Sequence, residues 1–313
     1  MNLHRTGALG LALALWLPGQ VTLTPRPKPP SKEENLPLAD IRVNSTLILV
    51  PVSVNDSLNR PVSGLDKENF RVYEDKVEQP ITSFAMDDEP VAVGLVFDTS
   101  GSMREKLQRS RMAAREFFRL SDPEDEYFLV EFDSSPRLEV HLTSDTGTIE
   151  SQLTFSRSHG STALLDAILM ALQEMKHSKK NKKALLVISD GGDNNSRYTP
   201  KEVNRVVVES DVLIYSIGVF GGGSTPEEAG GPGLLSQISE RTGGRLFEAN
   251  AVELPNIAKM IGIELRNRYV IGYSPQNQVH DGKYHHIQVR LVPPRGLPKL
   301  SAHWRTGYNA PVE

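Results

Sequence analysis

The chain has 313 residues, of which 35 are basic and 39 acidic, for a net charge of −4. That balance argues against non-specific nucleic-acid binding, which needs a basic surface, and the length suggests two domains more than one. No cysteine is present, so thiol nucleophiles, thiolate metal sites and disulfides are excluded.

The first residues, Met1 to Arg5, are short and basic, and Gly7 to Leu17 is almost wholly apolar before Pro18-Gly19. So short an apolar stretch cannot span a bilayer, and the pattern predicts a secretory signal peptide over 1–20. The mature chain is expected to have no membrane span. Pro25-Arg26-Pro27-Lys28-Pro29-Pro30 predicts an extended linker over 21–38. From there to residue 88 the pattern is β-type. Ser45 to Val54, Phe70 to Asp75 and Ile81 to Ala85 read as strands, and no helical period intervenes.

A different pattern begins at Val91-Ala92-Val93-Gly94-Leu95-Val96-Phe97, apolar on both faces as a buried parallel strand is. Asp98-Thr99-Ser100-Gly101-Ser102 follows directly, and a helix resumes near Met103. A carboxylate and two hydroxyls are therefore presented at the carboxyl end of a buried strand, where open α/β sheets bind ligands. Hard oxygen donors suit Mg²⁺ or Mn²⁺. Helices at 104–120, 163–177, 200–210, 233–242 and 254–266 alternate with strands at 127–132, 137–142, 184–189, 212–219 and 245–248. Such alternation predicts a doubly wound, mostly parallel sheet. Gly160-Ser161-Thr162 opens one helix, and the strand Ala184 to Ser189 ends in Asp190-Gly191-Gly192-Asp193. Taken singly, these serines and threonines are equally well read as helix caps. Asp193 is read either as orienting ligands or as holding its turn. The basic run 177–183 is read as a solvated turn in preference to a patch that docks anions, and Phe220 to Pro232 as a glycine-rich rim loop that is either mobile or a plain insertion.

The C-terminal end returns to β pattern, with Arg268 to Tyr273, a turn at Asp281-Gly282, Tyr284 to Leu291 and a last strand over 301–307. Neither flank alone can bury two sheet faces, which predicts one β-sandwich assembled from both flanks with the α/β unit inserted between them. Two separate β-appendages are the competing arrangement. The expected divisions are 39–88, 89–268 and 269–313.

Strand–Asp-x-Ser-x-Ser, then Gly-Ser-Thr, then strand–Asp-Gly, in that order, resembles the von Willebrand factor type A domain over about 90–268. The flanking segments Arg60 to Phe70 and Tyr269 to Tyr273, with Gly307-Tyr308, resemble the von Willebrand factor A-related domains of acidobacterial type. The resemblance implies a Rossmann-like fold with a metal-ion-dependent adhesion site. Asp98, Ser100, Ser102, Thr162 and Asp190 would surround Mg²⁺ or Mn²⁺, and an acidic side chain of a protein partner would complete the shell. It implies an exported bacterial protein of the periplasm, envelope or exterior, acting as a non-enzymatic adhesion module. The alternatives are an envelope scaffold with a stabilising metal and, third, a metal-dependent hydrolase. The phosphatase Asp-x-Asp motif is absent, since Ser100 replaces the second carboxylate, and no phosphate-binding Gly-Lys-Ser/Thr loop occurs. Partner identity and oligomeric state are not encoded in any motif.

Overall fold

The computed structural model describes residues 47–220, 226–249, 252–276, 282–294, 296 and 298–310. The expected signal peptide and linker lie outside them. Chain contacts divide at Asn44/Ser45, and every described residue belongs to the second unit. In that unit β1 (Ile48–Asn55), β2 (Phe70–Glu74), β3 (Val77–Gln79) and β4 (Ile81–Asp87) come first. The alternating region runs β5 (Val91–Asp98), α1 (Leu107–Phe118), β6 (Glu126–Phe132), β7 (Pro136–Thr143), α2 (Thr146–Phe155), α3 (Leu164–Met175) and β8 (Lys182–Ser189). It continues with α4 (Pro200–Glu209), β9 (Leu213–Gly218), α5 (Pro226–Thr242), β10 (Leu246–Glu248) and α6 (Leu254–Arg266). Finally come β11 (Arg268–Tyr273), β12 (Tyr284–Leu291), β13 (Ser301–Trp304) and β14 (Gly307–Asn309).

The central sheet has the order β10-β9-β8-β5-β6-β7. All its pairings are parallel except that of the edge strand β7. Every residue of β5 is buried, because helices cover both faces. Leu107, Phe117 and Phe118 of α1 pack with Ile257 and Ile261 of α6 on one face. Leu164, Ile168 and Leu172 of α3 pack with Val203 of α4 and Ile238 of α5 on the other. The chain leaves β5 toward β6 and β7, then returns to β8 on the opposite side of β5. Strand order therefore reverses between β5 and β8, which makes their carboxyl ends the crevice of the fold.

The flanks interlace as expected. One antiparallel sheet runs β13-β1-β11-β4 and the other β14-β12-β2-β3, so each mixes strands from both ends of the chain. Strand alternation sends Ile48, Val50 and Val52 of β1 and Tyr269, Ile271 and Tyr273 of β11 inward, against Phe70, Val72, Ile287 and Val289. The Tyr269 hydroxyl donates to the Val62 carbonyl and accepts from the Leu65 amide, both at 3.0 Å, tying the N-terminal flank to the C-terminal one. Glu264 of α6, 1% exposed, joins the two layers. It accepts from Asn55 Nδ2 of β1 (3.0 Å), the Tyr215 hydroxyl of β9 (2.9 Å) and Arg245 Nη2 (2.6 Å).

Several elements differ from expectation. α2 is additional, capped by Asp145 accepting from the Gly147 amide. Its Thr-Gly-Thr opening is poor helix-forming sequence, and the capping bond compensates. β3 pairs with β2 as a short hairpin, and β14 is a strand of its own paired with β12. The region read as a loop to Pro232 is helical from Pro226, with Pro232 inside α5. Lys182, read as solvated, is buried and ion-paired with Asp87 at 3.2 Å.

Candidate metal centre

Three loops meet at the carboxyl ends of β5 and β8. The first starts at Asp98, which is fully buried, and Thr99 beside it bonds the Phe132 carbonyl through both its amide (2.8 Å) and its hydroxyl (3.0 Å). These two hydrogen bonds fix the loop to the end of β6. Asp98 Oδ1 then accepts from the Ser100 amide at 2.8 Å, turning the chain so that Ser100 Oγ comes within 3.1 Å of Ser102 Oγ. Met103, wholly buried, anchors the short turn that leads to α1.

The second loop is sewn to the first by His159 N donating to Thr99 O (2.9 Å) and Gly101 N donating to Gly160 O (3.1 Å). It brings in Thr162, 5% exposed, whose amide donates to Asn194 Oδ1 at 2.9 Å. The Thr162 hydroxyl makes no hydrogen bond to the other four predicted residues among the described residues. The third loop follows β8. Ser189 Oγ donates to Asp98 Oδ2 at 2.5 Å and accepts from the Gly191 amide at 2.9 Å. Asp190 is 2% exposed. Gly191 has φ +78°, and a Cβ there would lie 2.7 Å from the backbone of Gly231 in α5. Gly191 and Gly231 thus allow one backbone to touch another beside the site.

Asp98, Ser100, Ser102 and Asp190 are thus gathered, with Thr162 on an adjoining loop. Their electrostatics are unusual. Burial, then the neighbouring Asp190 charge, push the Asp98 carboxyl up from 3.8 to about 7. Two buried carboxylates with hydroxyls around them form an all-oxygen donor set in need of positive charge, which fits a hard divalent cation.

Sequence reasoning missed the nearest positive charge in the chain itself. Lys106 Nζ sits 3.1 Å from Asp190 Oδ2. It occupies the N-cap of α1, where the helix dipole disfavours a cation, and that mismatch is the signal that could have found it. Ser189 was also missed. Asp193 holds its turn, accepting from Ser196 Oγ at 2.6 Å, while Ser196 Oγ accepts from the amides of Leu165 (3.1 Å) and Asp166 (3.2 Å) at the start of α3. Burial raises the Asp193 carboxyl above the usual range. Far from the rim, ligand atoms of Glu74, Asp75 and His285 lie within 4.8 Å of one another. These groups are engaged in the sandwich: His285 Nδ1 is 2.8 Å from Asp75 Oδ2, and Glu74 accepts from the Tyr273 hydroxyl at 2.5 Å.

Residues 93–192 match the von Willebrand factor type A domain family. An uncharacterized protein of Borreliella burgdorferi is 28% identical in an alignment 185 residues long that covers 50% of this chain and 53% of that protein. The chain therefore spans about half the length of that curated relative. Among solved structures, a von Willebrand factor type A protein from Catenulispora acidiphila superposes with a TM-score of 0.51 at 13% identity, covering 87% of this chain and 75% of that one. Proximal thread matrix protein 1 from the mussel byssus gives 0.50 at 16% identity, covering 62% of this chain and 51% of that one. At such identities the likeness is one of fold.

Proposed function

This chain carries a von Willebrand factor type A domain, and from that premise we propose that it is an exported, non-enzymatic protein-binding module with Mg²⁺ or Mn²⁺ at the sheet rim. Asp98, Ser100, Ser102, Thr162 and Asp190 would hold the ion. Bound there, the cation supplies an electrophilic coordination position for an acidic side chain of a protein partner. The observation that carries this reading is the pair of buried carboxylates Asp98 and Asp190, set among hydroxyls at the fold's crevice. The chain's own groups do the preparation. Thr99 pins the loop, the Ser100 amide and Ser189 hydroxyl orient Asp98, and Gly191 lets α5 close against the third loop. The basic-then-apolar start of the sequence supports export. We keep 39–88, 89–268 and 269–313 as the proposed divisions.

The test is isothermal titration of Mg²⁺ and Mn²⁺ into the EDTA-stripped protein, beside an Asp98→Ala, Asp190→Ala double variant. Stoichiometric binding lost in the variant is the expected result. No binding by the folded wild type would overturn the metal-dependent reading. One observation favours a second reading, an envelope scaffold: the Lys106–Asp190 pair already neutralises part of the site. On that reading, cation binding raises the melting temperature, and no acidic peptide binds the loaded protein.

A further inference from the structure

A cavity of about 660 Å³ opens between the outer face of the β1/β11 sheet and the amino ends of β8 and β9, at the opposite end of the central strands from the metal rim. The size lies within the range of small-molecule sites, ~300–1,000 Å³. Strand alternation decides what lines it. Tyr269 and Ile271 of β11 point into the sandwich, so Arg268 and Val270 point out, beside Leu47 and Leu49. Leu47, Leu49 and Met86 are 48%, 47% and 40% exposed at its mouth, an unusual concentration of open apolar surface.

Arg268 is 1% exposed, yet its Nε and Nη2 find no acceptor among the described residues. Arg245, Arg266 and Arg305 each hold a carboxylate, of Glu264, Asp125 and Asp211, and half-buried Arg111 reaches the Ser156 carbonyl, whereas Arg268 has two unsatisfied nitrogens and no ion pair among the described residues. The cavity's second buried cation, Lys182, is already engaged, with Nζ 3.2 Å from both the carbonyl and Oδ1 of Asp87. One positive charge is therefore left over, and a buried unpaired charge is costly. Its two unsatisfied nitrogens are the pair on one edge of the guanidinium, whose N–H bonds run parallel and match the two oxygens of a carboxylate.

We propose that this cavity is a binding site for a small amphiphilic carboxylate of the fatty-acid type, its head group on Arg268 and its chain along Leu47, Leu49 and Val270. Asp87, Asp88, Glu89 and Asp211 line the cavity together with Lys182, Lys183, Arg241 and Arg305, so these charges balance and Arg268 is left to match a singly charged head group.

Calorimetric titration of decanoate into the full chain tests this, with decanol as the uncharged probe of equal length. Arg268→Met keeps the bulk and removes charge and donors, and Arg268→Lys keeps the charge and loses the parallel pair. Saturable one-site binding of decanoate is expected, weaker by about 10- to 100-fold for decanol and for Arg268→Met, with Arg268→Lys between. Arg268→Met is expected to melt no lower than the wild type, since it removes an uncompensated buried charge. The proposal is overturned if decanol binds as well as decanoate, if the folded Arg268→Met protein retains wild-type affinity, or if folded wild type shows no saturable decanoate binding. Should Arg268→Met not fold, the decanol comparison and Arg268→Lys decide alone.

Discussion

Replacing Asp98 by asparagine removes a carboxyl that burial and the Asp190 charge push up from 3.8 to about 7. A carboxyl raised in the folded chain binds its proton more tightly there than in the unfolded chain. Its contribution is fully present below about pH 3.8 and is lost as pH rises through about 7. At 1.36 kcal/mol per pKa unit the whole span is worth about 4 kcal/mol, of which about 3 kcal/mol falls between about pH 4.5 and about pH 8. Because Asp98 is fully buried, solvent screening takes little from this figure. Other groups titrate over the same interval, so the informative quantity is the wild-type minus Asp98→Asn difference. Asparagine keeps the acceptor for the Ser100 amide and carries no titrating proton. Urea denaturation in EDTA at the two pH values should show wild type losing roughly 3 kcal/mol more than the variant, or roughly 6–12 °C in melting temperature. A difference that is the same at both pH values would refute the buried, charge-coupled picture of Asp98.

Three further outcomes follow from the same geometry. Lys106→Met leaves Asp190 buried without its counter-cation, so the EDTA-stripped protein should lose about 3 kcal/mol, while Mn²⁺ affinity by calorimetry rises because no ammonium competes; unchanged affinity would contradict this. Gly191→Ala meets both the left-handed backbone and the Gly231 backbone at 2.7 Å, and should lower the urea midpoint by an amount equivalent to about 2–3 kcal/mol. Tyr269→Phe strands the Val62 carbonyl and Leu65 amide and should cost about 2 kcal/mol by the same assay, with cation binding unchanged.

What could be read in the sequence was whatever a short window encodes. The two-faced apolarity of Val91 to Phe97 announced a covered parallel strand, and the alternation in Tyr284 to Leu291 announced a sandwich strand. The Asp98-x-Ser100-x-Ser102 spacing announced a turn presenting oxygens together, as it does. Features set by long-range packing were not readable. Glycine at 231 has the same sequence signature whether it permits motion or permits contact, and only the Gly191 backbone across from it distinguishes the two. Lys182 lay in a run of lysines, and its burial depends on Asp87, far away in the chain. Lys106 stands out in the sequence only as a cation at a helix start, and that its charge meets Asp190 is set by the fold.

The pairing of β4 with β11 has a consequence for the order in which the molecule folds. Asp87 sits opposite Arg268, so the strand entering the α/β unit and the strand leaving it are hydrogen-bonded neighbours. In an unfolded chain, joining them closes a loop as long as the whole intervening unit, an entropic cost that no local contact offsets. Once the central sheet has formed, β5 and α6 hold those two ends near each other and the closure is nearly complete before β4 and β11 meet. The sandwich is then the late structure and the α/β unit the early one, as expected when distant pairings wait for nearer ones. Destabilising the buried strands of the centre should slow the folding of both layers, whereas loosening Tyr269 should mainly hasten unfolding.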